Sequence, residues 1–124
     1  METFKIILSN RTKQQAEDLK KIYSDLEIID WGQITDFDMI INATSLGLKN
    51  NDQIQLDLSK VGTGKLFYDV IYNPIKTNFL LEGEKKSNQI ENGKMMFIYQ
   101  AQLAFKTWHD ILPKIDNETI KLLD

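Results

Sequence analysis

The chain has 124 residues, 42% of them hydrophobic, which is enough for one packed globular unit. Its formal net charge is -3, with Lys and Arg scattered along the chain, so no broad basic face is expected to meet nucleic-acid phosphates. There is no cysteine for disulfides or thiolate metal sites, no apolar run near the ~20 residues of a bilayer span, and no secretory pattern in Met1-Glu2-Thr3-Phe4-Lys5. A cytoplasmic protein without nucleic-acid or membrane partners is expected.

Phe4 to Leu8 is a short Ile-rich run that predicts a first strand, closed by Ser9-Asn10. Lys13 to Tyr23 follows with Ala16, Leu19, Ile22 and Tyr23 at helical spacing. Leu26 to Ile29 predicts a second strand, Met39 to Ile41 a third and Leu66 to Tyr72 a fourth, the last rich in β-favouring residues. Gly47 to Gly64 between them is polar and irregular, and Pro74 is expected to open a helix carrying Phe79, Leu80 and Leu81.

The longest helix is predicted from near Asn92-Gly93 to about Leu112, with Phe97, Ala101, Ala104, Phe105, Trp108 and Leu112 as its apolar stripe and Pro113 as its stop. Asn117 is expected to cap a last short helix. Apolar strands alternating with helices predict an α/β fold with one open, mostly parallel sheet, in which ligands gather at the carboxyl ends of the strands.

The polar residues at those ends are therefore the candidates. After the first strand comes Asn10-Arg11-Thr12-Lys13, where an NAD-binding domain would usually place an acidic residue against the ribose 2'-hydroxyl. The Arg11 fork, the Lys13 charge and the Thr12 hydroxyl suit a 2'-phosphate instead, which favours NADP; taken alone, Asn10-Arg11-Thr12 reads sooner as a helix cap. Asn42-Ala43-Thr44-Ser45-Leu46-Gly47 is small and polar enough for close ligand approach, or simply a turn.

Tyr72, expected at a strand end, offers a phenolic O-H, and Gly93 leaves space for a flat ring at the start of the long helix, where Met96 and Gln100 share a face. Gln100 is either a partly exposed residue or a buried amide in want of a partner. His109, the only histidine, reads as structural, since no triad pattern accompanies it. Gly62-Thr63-Gly64 is rejected as a dinucleotide fingerprint because Phe67 stands at the third glycine position and the segment precedes a strand.

Asn10-Arg11-Thr12, Asn42-Ala43-Thr44-Ser45, Phe67-Tyr68-Asp69-Val70-Ile71-Tyr72-Asn73-Pro74 with Thr77, and Asn92-Gly93 through Gln100 together resemble the shikimate dehydrogenase family in order and spacing, extended by Trp108-His109 and Leu112-Pro113. The resemblance covers essentially the whole chain and implies a Rossmann-like NADP-binding domain over residues 1–124. It implies that Asn10, Arg11, Thr12 and Lys13 hold the adenosine 2'-phosphate, that Thr44, Ser45 and Val70 touch the cofactor, that Gly93 and Met96 flank the nicotinamide, and that Tyr72 and Gln100 touch the substrate. Gln15 departs from the family pattern where many members carry a basic residue; Lys13 can compensate.

Against the family, the first, central strand with its glycine-rich turn is expected to be missing, as is the substrate domain that carries the catalytic Lys and Asp. No catalytic residue is therefore expected here. The implied reaction is reversible reduction of 3-dehydroshikimate to shikimate with NADPH in aromatic amino-acid biosynthesis, with little activity in this chain alone. A homodimer could supply the pairing of the missing strand. The rival expectations are a noncatalytic folding or interaction module, or a relative using NAD or quinate.

Overall fold

The computed structural model describes residues 4–49 and 51–123. They form two compact units, Met1–Asp36 with Gln55–Lys60, and Phe37–Ile54 with Val61–Asp124. Each has its own parallel sheet, so the single sheet expected from the sequence is two. The fold class is otherwise as predicted: α/β, Rossmann-like, with parallel strands and flanking helices.

In the first unit, β1 (Ile7–Ser9) leads through α1 (Lys13–Ile22) to β2 (Glu27–Ile29), which pairs with β1 in parallel. Both strands are shorter than the apolar runs that predict them, and Phe4 and Ile6 stay exposed ahead of β1. Ala16 is the one buried residue of α1, so a single small side chain lets the helix approach.

In the second unit, β3 (Met39–Asn42), β4 (Leu66–Asp69) and β5 (Gln89–Asn92) lie side by side in parallel, with β4 in the middle. β5 has no counterpart among the predicted strands. Its Gln89-Ile90-Glu91-Asn92 sequence offers one apolar residue, as suits a strand with one open edge and a solvated face. Between β4 and β5 runs α2 (Asn78–Lys85), followed after β5 by α3 (Lys94–His109) and α4 (Asn117–Lys121).

The core of this unit is built on Phe67, which has no exposed surface. Its ring meets Phe79 at 5.2 Å and the edge of Phe37 at 5.9 Å, with Leu80 buried beside it on α2. Gly83 completes the fit, because a Cβ there would come within 2.6 Å of the Phe67 ring. At the amino end of the sheet, Asn88 donates to the Gly62 carbonyl and accepts from the Lys65 N-H, tying the entry of β4 to the entry of β5.

Several helix ends differ from the sequence expectation. Pro74 does not open α2; it sits in a turn, and Thr77 caps the helix by accepting from the Leu80 N-H. α3 stops at His109, before Pro113, because Asp110 adopts a left-handed conformation (φ 53°) and its N-H closes on the Lys106 carbonyl. Asp116, not Asn117, caps α4, and the N-H and hydroxyl of Thr119 hold its carboxyl below the usual aspartate range.

The expected α3 stripe is also not a buried one. Ile98 is the buried residue of that helix, while Trp108 is 76% exposed and Leu112 lies beyond the helix, also exposed. No helix among the described residues is long and apolar enough to cross a membrane. Gly83→Ala should lower stability by ~1–3 kcal/mol through overpacking against Phe67, despite the better helix propensity of alanine. Urea unfolding checks this, and an unchanged or raised midpoint would contradict it.

Candidate functional site

The first unit presents its candidate residues where β1 turns into α1. Asn10 organises this turn by donating to the Thr12 carbonyl at 2.9 Å and to Gln15 Oε1 at 3.0 Å. Gln15, the residue that departs from the family pattern, is thus an acceptor that fixes Asn10. Thr12 occupies the N-cap position of α1, yet its hydroxyl makes no cap hydrogen bond. The capping alternative is therefore fulfilled by position only, and the hydroxyl remains available.

Arg11 is exposed and, among the described residues, its guanidinium has no partner. Lys13 is exposed too, but its ammonium lies 3.3 Å from Asp30, at the end of β2. No acidic residue occupies the first turn of α1. A helix start with uncommitted N-H groups, an unpaired Arg and a free hydroxyl is chemically suited to an anion. A planar fork also meets phosphate oxygens in pairs, which a lysine shared with an aspartate does not.

In the second unit, the candidates lie on three segments at the carboxyl end of the sheet, 43–47 after β3, 70–77 after β4 and 93–100 after β5. Thr44 is tightly engaged: its hydroxyl donates to Asn42 Oδ1 at 2.8 Å and accepts from the Leu46 N-H. Its N-H also donates to Asn42 Oδ1. Ser45, by contrast, is exposed and its hydroxyl has no partner among the described residues. Gly47 has φ 114° and packs toward Thr77 and Ile71, so a side chain there would be strained and crowded.

Val70 extends the β3–β4 pairing through its N-H to the Asn42 carbonyl at 3.0 Å. Its own carbonyl faces Gly93, where a Cβ would fall 1.9 Å from the oxygen. The glycine is thus required by the chain's own backbone, independently of any flat ring that lies against it. The Gly93 N-H donates to the Ile71 carbonyl at 3.1 Å, which fixes the start of α3 against the end of β4.

Tyr72 is not a strand terminus, since β4 ends at Asp69; it is half-buried, with its ring stacked on Phe97 at 4.7 Å. Met96 and Gln100 flank Phe97 on α3, both exposed, and Gln100 has no side-chain partner among the described residues. Tyr72, Val70, Gly93 and the first turns of α3 are therefore brought together. His109 is outside this group: it is exposed, tilted against Phe105 at 4.4 Å, and no cluster of metal-ligating side chains occurs among the described residues. Gly62-Thr63-Gly64 leads into β4 without opening a helix, as its rejection as a fingerprint requires.

The residues missed as site residues are Asn42, Asp69 and Thr77, all buried and polar. Asp69 accepts from Asn42 Nδ2 at 3.1 Å, from the Ile71 N-H at 3.0 Å and from the Thr77 hydroxyl at 2.6 Å. A charge-bearing residue inside an otherwise apolar strand was the signal that could have found them.

No protein-family model matches the chain. Individual proteins do. Shikimate dehydrogenase (NADP(+)) of Pelagibacter ubique is 58% identical over 120 residues, spanning 97% of this chain and 45% of that protein. Over nearly its whole length, the chain is a homologue of the shikimate dehydrogenases. The shikimate dehydrogenase (NADP(+)) of Caldicellulosiruptor bescii is 39% identical across 96% of this chain and 44% of its own length.

Among solved structures, shikimate dehydrogenase from Aquifex aeolicus superposes with TM-score 0.80 at 26% identity, covering 96% of this chain and 44% of that one. A shikimate dehydrogenase solved in complex with NADP+ gives TM-score 0.76 at 28% identity, covering 95% of this chain and 45% of that one. The chain thus spans rather less than half the length of the shikimate dehydrogenases it matches.

Gly93→Ala must displace either the Val70 carbonyl or the start of α3. It should cost ~1–3 kcal/mol or more, as overpacking does. Thermal or urea unfolding reads the loss, and a variant as stable as the parent would show that this contact is not made in solution.

Proposed function

We propose that this chain supplies the nucleotide-holding part of an NADP-dependent shikimate dehydrogenase. The reaction is the reversible reduction of 3-dehydroshikimate to shikimate in aromatic amino-acid biosynthesis. Two kinds of support converge: 58% identity to a protein of that name across nearly the whole chain, and an unpaired Arg11 guanidinium at an uncapped helix start. The second is the observation that carries the choice of NADP, because this chemistry selects a phosphate over a ribose hydroxyl.

In this reading, Arg11 and the Thr12 hydroxyl bind the adenosine 2'-phosphate, with Asn10 shaping the turn and Lys13 adding charge that Asp30 partly offsets. Ser45 offers its hydroxyl to the cofactor, while Thr44, already saturated within its loop, acts by shaping the backbone there. Val70, Gly93 and Met96 line the nicotinamide end. When bound, NADPH supplies the hydride. Tyr72 and Gln100 hold substrate hydroxyls, each with a polar group that has no partner among the described residues.

A phenol and an amide orient a substrate, but they are not the carboxylate, lysine or histidine that usually relays the proton. Turnover of shikimate by this 124-residue chain alone is therefore expected to be negligible. Calorimetric titration separates holding from catalysis. NADPH should bind more tightly than NADH, and Arg11→Ala should weaken NADPH by about tenfold or more, the usual worth of a hydrogen bond to a charged group, while leaving NADH unchanged. Equal affinity for the two nucleotides, or an Arg11→Ala variant that binds NADPH as the parent does, would overturn the assignment.

A further inference from the structure

Among its described residues, the second unit buries one ionisable side chain that the proposed chemistry does not use. Asp69 has no exposed surface, and its contacts come from three separate parts of the chain. Oδ1 accepts from Asn42 Nδ2, at the end of β3, and from the Ile71 N-H, just past β4. Oδ2 accepts from the Thr77 hydroxyl, at the start of α2. We propose that Asp69 is a positioning residue that sets two segments at the carboxyl end of the sheet, 43–47 and 70–77, in the shape the nucleotide and substrate contacts need. This rests on the function proposed above.

Hydrogen-bond polarity decides how this network is wired. A carboxylate only accepts, so the group Asn42 turns toward it must be its NH2. That choice fixes the other end of the amide. Asn42 Oδ1 is then left to accept the N-H and hydroxyl of Thr44, and Nδ2 also reaches the Leu46 carbonyl at 3.0 Å. The Thr44 hydroxyl, having given its proton to Asn42, can accept from the Leu46 N-H. One buried acceptor thus orders five bonds that run from Asp69 through Asn42 and Thr44 to Leu46.

The same logic runs the other way. The Thr77 hydroxyl gives its proton to Asp69 Oδ2, which leaves its oxygen free to cap α2 through the Leu80 N-H. The segment between Asp69 and Thr77 is thereby pinned at both ends. It carries Val70, against Gly93, and Tyr72, stacked on Phe97. Gly47 packs on Thr77 and Ile71, so the two segments also touch directly.

An amide at position 69 weakens this arrangement, because it replaces three bonds to a charged acceptor with neutral ones and turns an NH2 toward the Thr77 hydroxyl, which must then accept instead of donate. Amide hydrogen exchange on the full chain, followed by NMR, tests the proposal. In Asp69→Asn, exchange at Thr44, Leu46 and Ile71 should quicken by about tenfold or more relative to Leu66 and Gln89, whose N-H groups bond Asp38 and Lys65 at the opposite end of the sheet. Thr77→Val should quicken Ile71 in the same way, and Thr77→Ser, which keeps the hydroxyl, should restore it.

If Asp69→Asn does not fold, the Thr77→Val and Thr77→Ser pair decides. Exchange that is unchanged, or that quickens equally at both ends of the sheet, would overturn the positioning role. NADPH affinity measured on the same proteins keeps the two claims apart. A parent chain that fails to bind NADPH removes the nucleotide reading, while the exchange pattern still answers for Asp69. In a parent that binds, Thr77→Val should weaken NADPH and Thr77→Ser should not.

Discussion

A carboxylate excluded from water has to be surrounded by donors, and Asp69 collects three of them within two strands' width. This requirement shapes the carboxyl end of the second unit's sheet, where Asn42, Ile71 and Thr77 meet. β3 and β4 are joined along their length by backbone pairing, but backbone pairing alone says nothing about the course of the chain past the last pair. It is the side chain of Asp69 that carries order from the ladder into the segments that follow. Asn88 does comparable work at the other end, where it ties Gly62 to Lys65. The sheet is therefore fastened at both ends by buried polar side chains and filled between them by Phe67, Phe79 and Leu80.

The first unit works by the opposite principle. Its candidate residues are exposed, and the relevant observation is what they leave unsatisfied. Arg11 has no partner among the described residues, the Thr12 hydroxyl does not cap, and α1 begins without an acidic side chain. Lys13 shows how such a charge is lost, since Asp30 stands within 3.3 Å of it. An exposed pair of this kind is worth little to stability, so its main consequence is to leave Arg11 as the more available cation for a phosphate.

Most of this was legible in the sequence, and the failures have physical causes. β1, α1, β3 and β4 follow from apolar runs and helical spacing, even though Leu19 and Ile22 of α1 and Met39 and Ile41 of β3 stay exposed. β5 was hidden because a strand with an open edge and one wet face needs few apolar residues, and Gln89-Ile90-Glu91-Asn92 has one. Pro74 drew the start of α2 too early, when Thr77 had the better capping chemistry. The α3 stripe ran past the helix end to Leu112 and left out Ile98, the residue α3 buries, while Trp108 remains mostly exposed, since periodicity states which face is apolar and not whether anything covers it. The hidden part of the site was the set Asn42, Asp69 and Thr77. Sequence position placed all three within recognisable motifs, but only the hydrogen bonds reveal that they act on one another.

In the proposed function the first unit offers the nucleotide phosphate chemistry at Arg11 and Thr12, and the second offers ordered strand ends at 43–47 and 70–77. Amide chemical-shift mapping during titration of the full chain with NADPH tests that claim most directly. Shifts are predicted at Asn10 to Lys13 in the first unit and at Thr44, Ser45 and Gly93 in the second, with the amides of Leu66 and Gln89 left in place. Shifts confined to other residues, or none at saturating nucleotide, would contradict it.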